Sequence, residues 1–425
     1  MTTMNSAPSA PPAARPAIRF GEFVALAAAM LSTQAIAVDA MLPALPTIVH
    51  ELGVANANRG QWIVTAYVAG VGIGQLLWGM LSDRFGRRTV LLTGLGLYVV
   101  AAAMCGLAQS FEALLGWRLL HGLAAASAVV TRSVIRDLYS GRTMARVLSL
   151  TFVVFLMVPI IAPSLGQLIL LLAPWRTVFG VFAVFAGVIG VWALLRLPET
   201  LHPEYRLVLT VRHVLGAAAQ VLGDRTSIYY TLSVTVMFGS LIAYVGMVQQ
   251  IFADVFHRPS WMPGMFALCA TFMGLASLFN SRIVERIGMR RISHAALLIY
   301  IAVTLGHLLV AALGLERLWS FVALQAVTMA CFSLAVSNFG AMALEPLGAI
   351  AGIGASLQGF ITTFGGGLVG AAIGRQFNGT TLPLTVGALG SGLLSLLLVL
   401  LAERWQLFRP HHAGAAVPIE PTRER

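Results

Sequence analysis

The sequence predicts an all-α membrane protein with twelve transmembrane helices arranged as two pseudo-symmetric six-helix bundles. Three observations predict this fold: the composition, the spacing of the apolar segments and an internal repeat. The chain has 425 residues, of which 58% are hydrophobic and 10% are charged. A soluble protein of this size needs about 25% charged residues. This composition is therefore typical of a polytopic membrane protein.

Apolar runs of about 20 residues, the length that crosses a bilayer, divide the chain into twelve spans. They lie at approximately 20–44, 60–81, 89–108, 112–135, 146–172, 176–197, 226–250, 262–283, 291–313, 318–341, 351–373 and 382–402. The one long polar connection separates six spans from six. The predicted parts are a disordered cytoplasmic tail at 1–19, bundles at 20–197 and 226–403, a cytoplasmic linker at 198–225 and a cytoplasmic tail at 404–425.

The first apolar run also imitates a cleavable signal peptide. Arg19 precedes the segment from Phe23 to Ala37, which ends in small residues as a cleavage site does. The span continues beyond Ala37, and eleven more spans follow. We therefore interpret this run as the first transmembrane helix.

The arginines predict the orientation. All 27 basic residues are arginine, and 21 of them fall in segments that are cytoplasmic if the N-terminus is inside. Five fall in the opposite loops, and Arg118 remains within a span. The excess of positive charge on one side predicts that both termini are cytoplasmic. Because the arginines lie in short loops between spans, the +11 net charge does not indicate a nucleic-acid partner. Without lysine, a phosphate-binding loop for a nucleotide is excluded.

The internal repeat consists of two arginine-rich turns. Residues 79–88 read GMLSDRFGRR, and residues 281–291 read SRIVERIGMRR, each between two apolar segments. An acid, an arginine, a glycine and a closing arginine recur in the same order. Repeated turns at matching places in two halves are typical of transporters built from structural repeats.

The first turn resembles the signature loop between helices 2 and 3 of the major facilitator superfamily of secondary transporters, and the second resembles its counterpart between helices 8 and 9. The resemblance implies that Asp83 faces backbone donors of span 11 and that Arg84 pairs with Asp137 when the cytoplasmic side is closed. The candidate conformational gate comprises Gly79, Asp83, Arg84, Gly86, Arg87, Arg88, Asp137, Glu285, Arg286 and Gly288. The second copy departs from the signature loop, with Ser281 in place of Gly and Glu285 in place of Asp. We therefore expect substitution of Asp83 to impair transport more than substitution of Glu285.

Two ionisable residues lie clearly inside the predicted bilayer, where each is costly and is therefore a functional candidate. Asp39 lies in the outer half of span 1, and Arg118 lies about six residues from the outer end of span 4. At about 1.5 Å per residue both fall at a similar depth. We expect the two side chains to pair, with Asp39 accepting and releasing a proton while Arg118 tunes its affinity. The alternative is a static ion pair that only fixes helix packing.

Three segments resemble the Bcr/CflA (bicyclomycin/chloramphenicol resistance) subfamily of drug:proton antiporters. Residues 38–46, VDAMLPALP, are similar to its first helix, and residues 118–122, RLLHG, are similar to its helix 4 motif with His121 in place of Gln. Residues 159–167, PIIAPSLGQ, resemble the antiporter motif of span 5 through Pro159, Pro163 and Gly166. The resemblance implies proton-coupled efflux of small, mostly apolar drug-like molecules by alternating access.

Buried amides are candidates for lining the substrate cavity between the bundles. Each has the alternative role of an interhelical hydrogen bond. The predicted cavity residues are Gln34, Gln75, Gln249, Gln325, Asn338 and Gln358.

Other functions remain open. An exporter of an endogenous metabolite or amino acid with the same fold is the main alternative, and cavity polarity would distinguish it from a drug exporter. A channel is a remote alternative because no filter sequence is visible. An enzyme is not expected, since His50-Glu51 lacks the second histidine of H-E-x-x-H and no G-x-S-x-G occurs. We expect a monomer that contacts a small-molecule substrate, protons and membrane lipid, with no cofactor and no metal.

Overall fold

The computed structural model describes residues 18–139, 141–201, 204 and 211–408, and this part of the chain is nearly all helical. Most of the predicted tails at 1–19 and 404–425, and much of the predicted linker at 198–225, lie outside the described residues. The all-α fold is confirmed.

The first half begins with α1 (Phe20–Asp39), which ends at the candidate proton site. A 3₁₀ turn at Leu42–Ala44 leads to the short helix α2 (Leu45–Glu51). Pro43 and Pro46 lie at the starts of these two segments, where a missing backbone N–H costs nothing. The remaining helices are α3 (Gln61–Phe85), α4 (Arg87–Leu107), α5 (Phe111–Leu123), α6 (Ser127–Leu138), α7 (Gly141–Leu172) and α8 (Arg176–Arg196).

The second half follows a helix that belongs to the predicted linker, α9 (Val211–Gly223). Two spans contain π-helical turns, at Ile251–Val255 and at Ile361–Gly365. The helices are α10 (Arg225–Gln250), α11 (Met262–Ile287), α12 (Met289–Ala312), α13 (Leu318–Leu344), α14 (Ala351–Phe360), α15 (Gly366–Gly374) and α16 (Leu382–Ala402).

Eleven helical segments among the described residues are long and apolar enough to cross a membrane. The helix α7 occupies the place of the predicted fifth span; its Met157–Leu172 part is an apolar helix. The chain is therefore a multi-pass membrane protein. Span 4 is interrupted, because α5 ends at Leu123 and α6 begins at Ser127.

The internal repeat is visible in the backbone. Gly86 joins α3 to α4 with φ 96° and ψ 150°, and Gly288 joins α11 to α12 with φ 89° and ψ 146°. Residues other than glycine rarely adopt this positive φ, because a Cβ atom is strained there. The predicted turn at residues 79–88 is narrower than expected, since α3 continues through Phe85 and only Gly86 leaves the helix.

Glycines allow close helix packing around span 2. A Cβ atom on Gly122 of α5 would lie 2.0 Å from the carbonyl oxygen of Tyr67 in α3, and one on Gly70 would lie 2.1 Å from the carbonyl oxygen of Leu119. Such backbone approaches are typical of helix contacts in membranes, where small residues let two backbones meet.

The two halves meet along α3 with α14 and α15, and along α7 with α11. At the predicted outer end, Asn58 donates to the carbonyl of Phe377 over 2.8 Å, and Gln61 donates to Gln250 over 2.8 Å. Gln250 donates in turn to Asn58 over 2.9 Å. These bonds hold the halves together at that end.

Candidate functional site

A cavity of about 770 Å³ lies between the two halves. Its wall is mostly aliphatic and aromatic, with side chains from both halves of the chain. Two charged residues line it, Asp39 of α1 and Arg132 of α6. Ligand cavities of this size and character, apolar with a few polar groups, are typical of small-molecule sites.

Asp39 is the last residue of α1, and only 7% of its surface is exposed. Its carboxylate lies at the cavity wall. Within the described residues, no arginine or histidine nitrogen lies within 4.0 Å of it. An isolated buried carboxylate is costly when charged, and protonation removes that cost. Asp39 therefore stays a candidate proton site at the cavity wall.

The expected ion pair between Asp39 and Arg118 does not form, so this prediction was wrong. Arg118 is fully buried and donates from Nε to the carbonyl of Ile63 and from Nη2 to that of Ala37, each over 3.2 Å. Backbone carbonyls and aromatic faces replace the carboxylate as partners of the cation.

The other contacts of Arg118 complete this environment. Its Nη1 lies 3.1 Å from Nδ1 of His121, and its guanidinium lies 4.3 Å from the centre of the Tyr67 ring. Arg118 thus binds three elements at once: α3, its own helix α5 and the last turn of α1. Because Ala37 precedes Asp39 by two residues, Arg118 fixes the segment that carries Asp39.

The span 5 motif lies beside the same segment. A Cβ atom on Gly166 would lie 1.9 Å from the carbonyl oxygen of Ala40, the residue after Asp39. Pro159 lines the cavity, and α7 continues as a helix through both Pro159 and Pro163. The motif glycine therefore permits α7 to approach the end of α1.

In the first arginine-rich turn, the partner of Asp137 is Arg87 rather than Arg84. Arg87 donates from Nε to Oδ2 of Asp137 over 2.9 Å, from Nη1 to Ser82 over 2.8 Å, and also to Asp83. Arg84 is exposed and lies over the Phe85 ring at 5.2 Å. The reason is geometric: Arg84 is on the exposed side of α3, whereas Arg87 follows the Gly86 turn and reaches back toward Asp83.

Glu199 completes this turn, and the sequence interpretation missed its role. Its carboxylate accepts from the backbone N–H groups of Arg87 over 2.8 Å and of Arg88 over 3.2 Å. It therefore satisfies the free donors at the start of α4. A Cβ atom on Gly86 would lie 2.5 Å from Oε2 of Glu199, so a side chain at this position would displace the Glu199 carboxylate. Gly79 lies near α14, where its Cβ would be 3.2 Å from Ser356 Oγ.

The second copy of the turn uses different residues. Glu285 and Arg286 are exposed. Arg290 instead donates from Nε to Oε1 of Glu403 over 2.8 Å and lies 3.8 Å from Glu345. Glu403 follows the last span as Glu199 follows the sixth span. This matching position in the repeat was the sequence signal for the Arg290–Glu403 pair.

Of the predicted cavity amides, two line the cavity and four do not. Gln34 and Gln75 are at its wall, and Gln75 also donates to Thr363 over 3.1 Å. Asn338 and Gln358 form hydrogen bonds between helices, the alternative role stated above. The four that lie elsewhere are Gln249, Gln325, Asn338 and Gln358.

Arg132 is the cavity residue that the sequence interpretation missed. The count of arginines placed it with the cytoplasmic group because it is three residues from the end of the predicted fourth span. In the structure its side chain is exposed to the cavity. The sequence signal for a cavity position was that Arg132 lies inside the predicted limits of span 4, residues 112–135.

Comparison with known proteins agrees with this architecture. The family model described as Major Facilitator Superfamily matches residues 24–374. The "Uncharacterized MFS-type transporter YdgK" of Bacillus subtilis is 30% identical over 345 residues, which is 79% of this chain and 84% of that protein. The "Bicyclomycin resistance protein homolog" of Haemophilus influenzae is 26% identical over 355 residues, covering 83% and 89%.

Shorter and structural matches agree with these. The "Chloramphenicol resistance protein" of Pseudomonas aeruginosa is 38% identical over 169 residues, 38% of this chain and 39% of that protein. A crystal structure of a D-xylose-proton symporter superposes with a TM-score of 0.70 at 13% identity, covering 89% of this chain and 97% of that one. This likeness concerns the fold.

Proposed function

The chain belongs to the Major Facilitator Superfamily, and from this premise we propose that it exports small drug-like molecules in exchange for protons. The observation that carries the proposal is Asp39, a carboxylate at the wall of the central cavity that has no ionic partner among the described residues. The names of the bicyclomycin- and chloramphenicol-resistance relatives support the substrate class.

Asp39 is the proposed proton carrier. A carboxylate buried without a cation favours its neutral form, and the cavity gives solvent and substrate a route to it. Arg118 serves as a positioning residue, since it holds the carbonyl of Ala37 and so the end of α1. Substrate entering from the cytoplasm displaces the proton or competes for the same form of the carrier, and the proton reloads from outside.

Alternating access follows from the two ends of the molecule. The bonds of Asn58, Gln61 and Gln250 close the predicted outer end, whereas the cavity wall extends toward the other end as far as Arg132 and Leu148. Rocking of the bundles about the cavity then exposes Asp39 to the outside.

The proposal includes the setting of the protein. Both termini face the cytoplasm, the membrane is the bacterial inner membrane, and the transporter acts as a monomer surrounded by lipid. The excess of arginine at the Gly86 and Gly288 turns supports this orientation. The two bundles correspond to residues 20–197 and 226–403, joined by the segment 198–225.

A drug-like substrate fits the cavity better than an amino acid. An amino acid presents its two charges a few ångströms apart, and the cavity wall between its two charged residues is apolar and aromatic. Desolvating the charges of a free amino acid against such a wall is unfavourable.

The experiment is transport by the purified protein in proteoliposomes with an imposed pH gradient, using a panel of neutral, cationic and anionic drugs. We expect at least one compound to accumulate against its own gradient while the pH gradient collapses faster than in protein-free vesicles. Movement that is only downhill and independent of the pH gradient would contradict proton coupling.

A further inference from the structure

Arg132 is a cavity cation that has no hydrogen-bond or ionic partner among the described residues. It lies in α6, where Thr131, Val134 and Ile135 are buried against the protein while the Arg132 side chain faces the cavity. Within the described part of the chain it forms no hydrogen bond and no ion pair. The nearest acid along the helix, Asp137, is already engaged by Arg87.

Arg132 and Asp39 lie at opposite ends of the cavity. Thr33 of α1 and Ser127 of α6 share a hydrogen bond of 2.7 Å, which marks a common depth. From there Asp39 is six residues, or about 9 Å, toward the outer end, and Arg132 is five residues, or about 7.5 Å, in the opposite direction. The two charges are therefore too far apart to neutralise each other.

The wall between these charges has a definite character. It presents aromatic rings from the second half, including Phe238, Tyr244, Phe266 and Phe332, together with aliphatic side chains. Two amides, Gln34 and Gln75, supply neutral polar groups. An apolar body therefore has favourable contacts along most of the cavity, and a charged group has one cationic place at its cytoplasmic end.

We propose that the cavity binds amphiphilic organic anions, with the anionic group on Arg132 and the apolar body against the aromatic wall. A guanidinium presents paired N–H donors that match carboxylate, sulfonate or phosphate oxygens. Because Arg132 and Asp39 are too far apart to neutralise each other, Arg132 attracts an anion and repels a cation at its end of the cavity even after Asp39 has released its proton. The inference rests on the proposed function only in taking this cavity as the substrate path.

A consequence concerns the driving force. Exchange of one exported anion for one imported proton moves two positive charges inward per cycle. An inside-negative membrane potential therefore acts on both movements in the same direction.

The test uses two probes of nearly the same shape, the radiolabelled anion 2-naphthoate and its neutral amide, 2-naphthamide. Equilibrium binding to the purified protein in detergent is measured, and binding to protein-free micelles is subtracted. We expect the wild-type protein to bind 2-naphthoate at least 10-fold more tightly than 2-naphthamide. Arg132→Gln should abolish this preference while leaving 2-naphthamide affinity unchanged, which also shows that the variant is folded.

Two variants complete the design. Arg132→Lys should retain part of the preference, since it keeps the charge but not the paired donors. Arg136→Gln removes the same charge one turn further along α6, where the side chain is exposed outside the cavity wall, and should change nothing. Wild-type binding of 2-naphthoate that is no tighter than that of 2-naphthamide, or absent, overturns the proposal. So does an equal loss of preference in Arg136→Gln.

The anion-site proposal and the proposed transport function can be contradicted independently. Efflux of neutral drugs driven by a pH gradient, without preference for 2-naphthoate, would remove the anion site and leave the proposed function intact. Selective binding of 2-naphthoate by a protein that moves no compound against its gradient would do the reverse.

Discussion

Arg118 donates a hydrogen bond of 3.2 Å to the carbonyl oxygen of Ala37, two residues before Asp39. The arginine therefore acts on the candidate proton site through the backbone of α1 and not through an ion pair. A cation at the last turn of a helix also interacts favourably with the helix dipole. This relationship changes what substitution of Arg118 should do.

Arg118→Lys separates charge from geometry. Lysine keeps the positive charge, but one ammonium group cannot reach the carbonyls of Ile63 and Ala37 and the ring of His121 together. We expect uphill transport to fall at least 10-fold, and the unfolding temperature to drop, because buried carbonyls lose partners at about 1–3 kcal/mol each. Arg59→Lys, at an exposed site, is the control. Transport at the wild-type rate in Arg118→Lys would show that charge alone suffices.

The first arginine-rich turn predicts a difference between neighbouring arginines. Arg87→Gln leaves Asp83 and Asp137 without the cation that they share. Because both acids are partly exposed, we expect the free energy of unfolding to fall by only about 1–3 kcal/mol. Arg84→Gln removes an exposed side chain and should have a small effect. Transport rates and thermal stability of the two variants, at matched expression, check this. A larger defect in Arg84→Gln than in Arg87→Gln would contradict this contrast; the Arg84–Asp137 pair expected when the cytoplasmic side is closed stays a prediction.

The second turn predicts the same kind of contrast. Arg290→Gln should impair the protein more than Arg286→Gln, because Arg290 contacts the buried Glu403 while Arg286 is exposed. On the same reasoning Asp83→Asn should reduce transport far more than Glu285→Gln. Drug-resistance assays in cells, with protein levels measured by blotting, compare all four variants. Equal defects in Asp83→Asn and Glu285→Gln would mean that the two turns contribute alike.

Gly166 predicts a steric effect on the proton site. A methyl group at this position would overlap the Ala40 carbonyl, a backbone atom that cannot move alone. We expect Gly166→Ala to cost about 1–3 kcal/mol of stability and to slow transport by displacing the end of α1. Gly180→Ala, where a Cβ meets no atom within 4 Å, is the matched control. The unfolding midpoint and the transport rate are measured for both. Identical behaviour of the two variants would exclude a role for close packing here.

The helices and the repeat could be predicted because they follow from patterns along the chain: runs of apolar residues, and two turns in which an acid, an arginine, a glycine and a closing arginine recur in the same order. The partners of individual charges could not. Arg118 and Arg87 have long side chains that reach several alternatives, and packing between distant segments selects among them. Arg132 was missed because the count of arginines assigned it to the cytoplasmic loop after span 4, although it lies three residues before the predicted end of that span.

The central prediction concerns Asp39. Asp39→Asn keeps the volume and resembles the protonated carboxyl group, so the variant should bind substrate and still allow downhill exchange. It should not accumulate substrate against a gradient, because the site can no longer release and reload a proton. Asp254→Asn makes the same change at an exposed position near the predicted outer end and should transport normally.

The measurement compares uphill accumulation, downhill counterflow and substrate affinity in proteoliposomes containing each variant. We expect Asp39→Asn to lose the first and retain the other two. This pattern distinguishes a coupling residue from a structural one, since a misfolded variant would lose all three activities. Uphill accumulation by Asp39→Asn with the wild-type pH dependence would place the proton on a group outside the described cavity, because no other carboxylate lines that cavity.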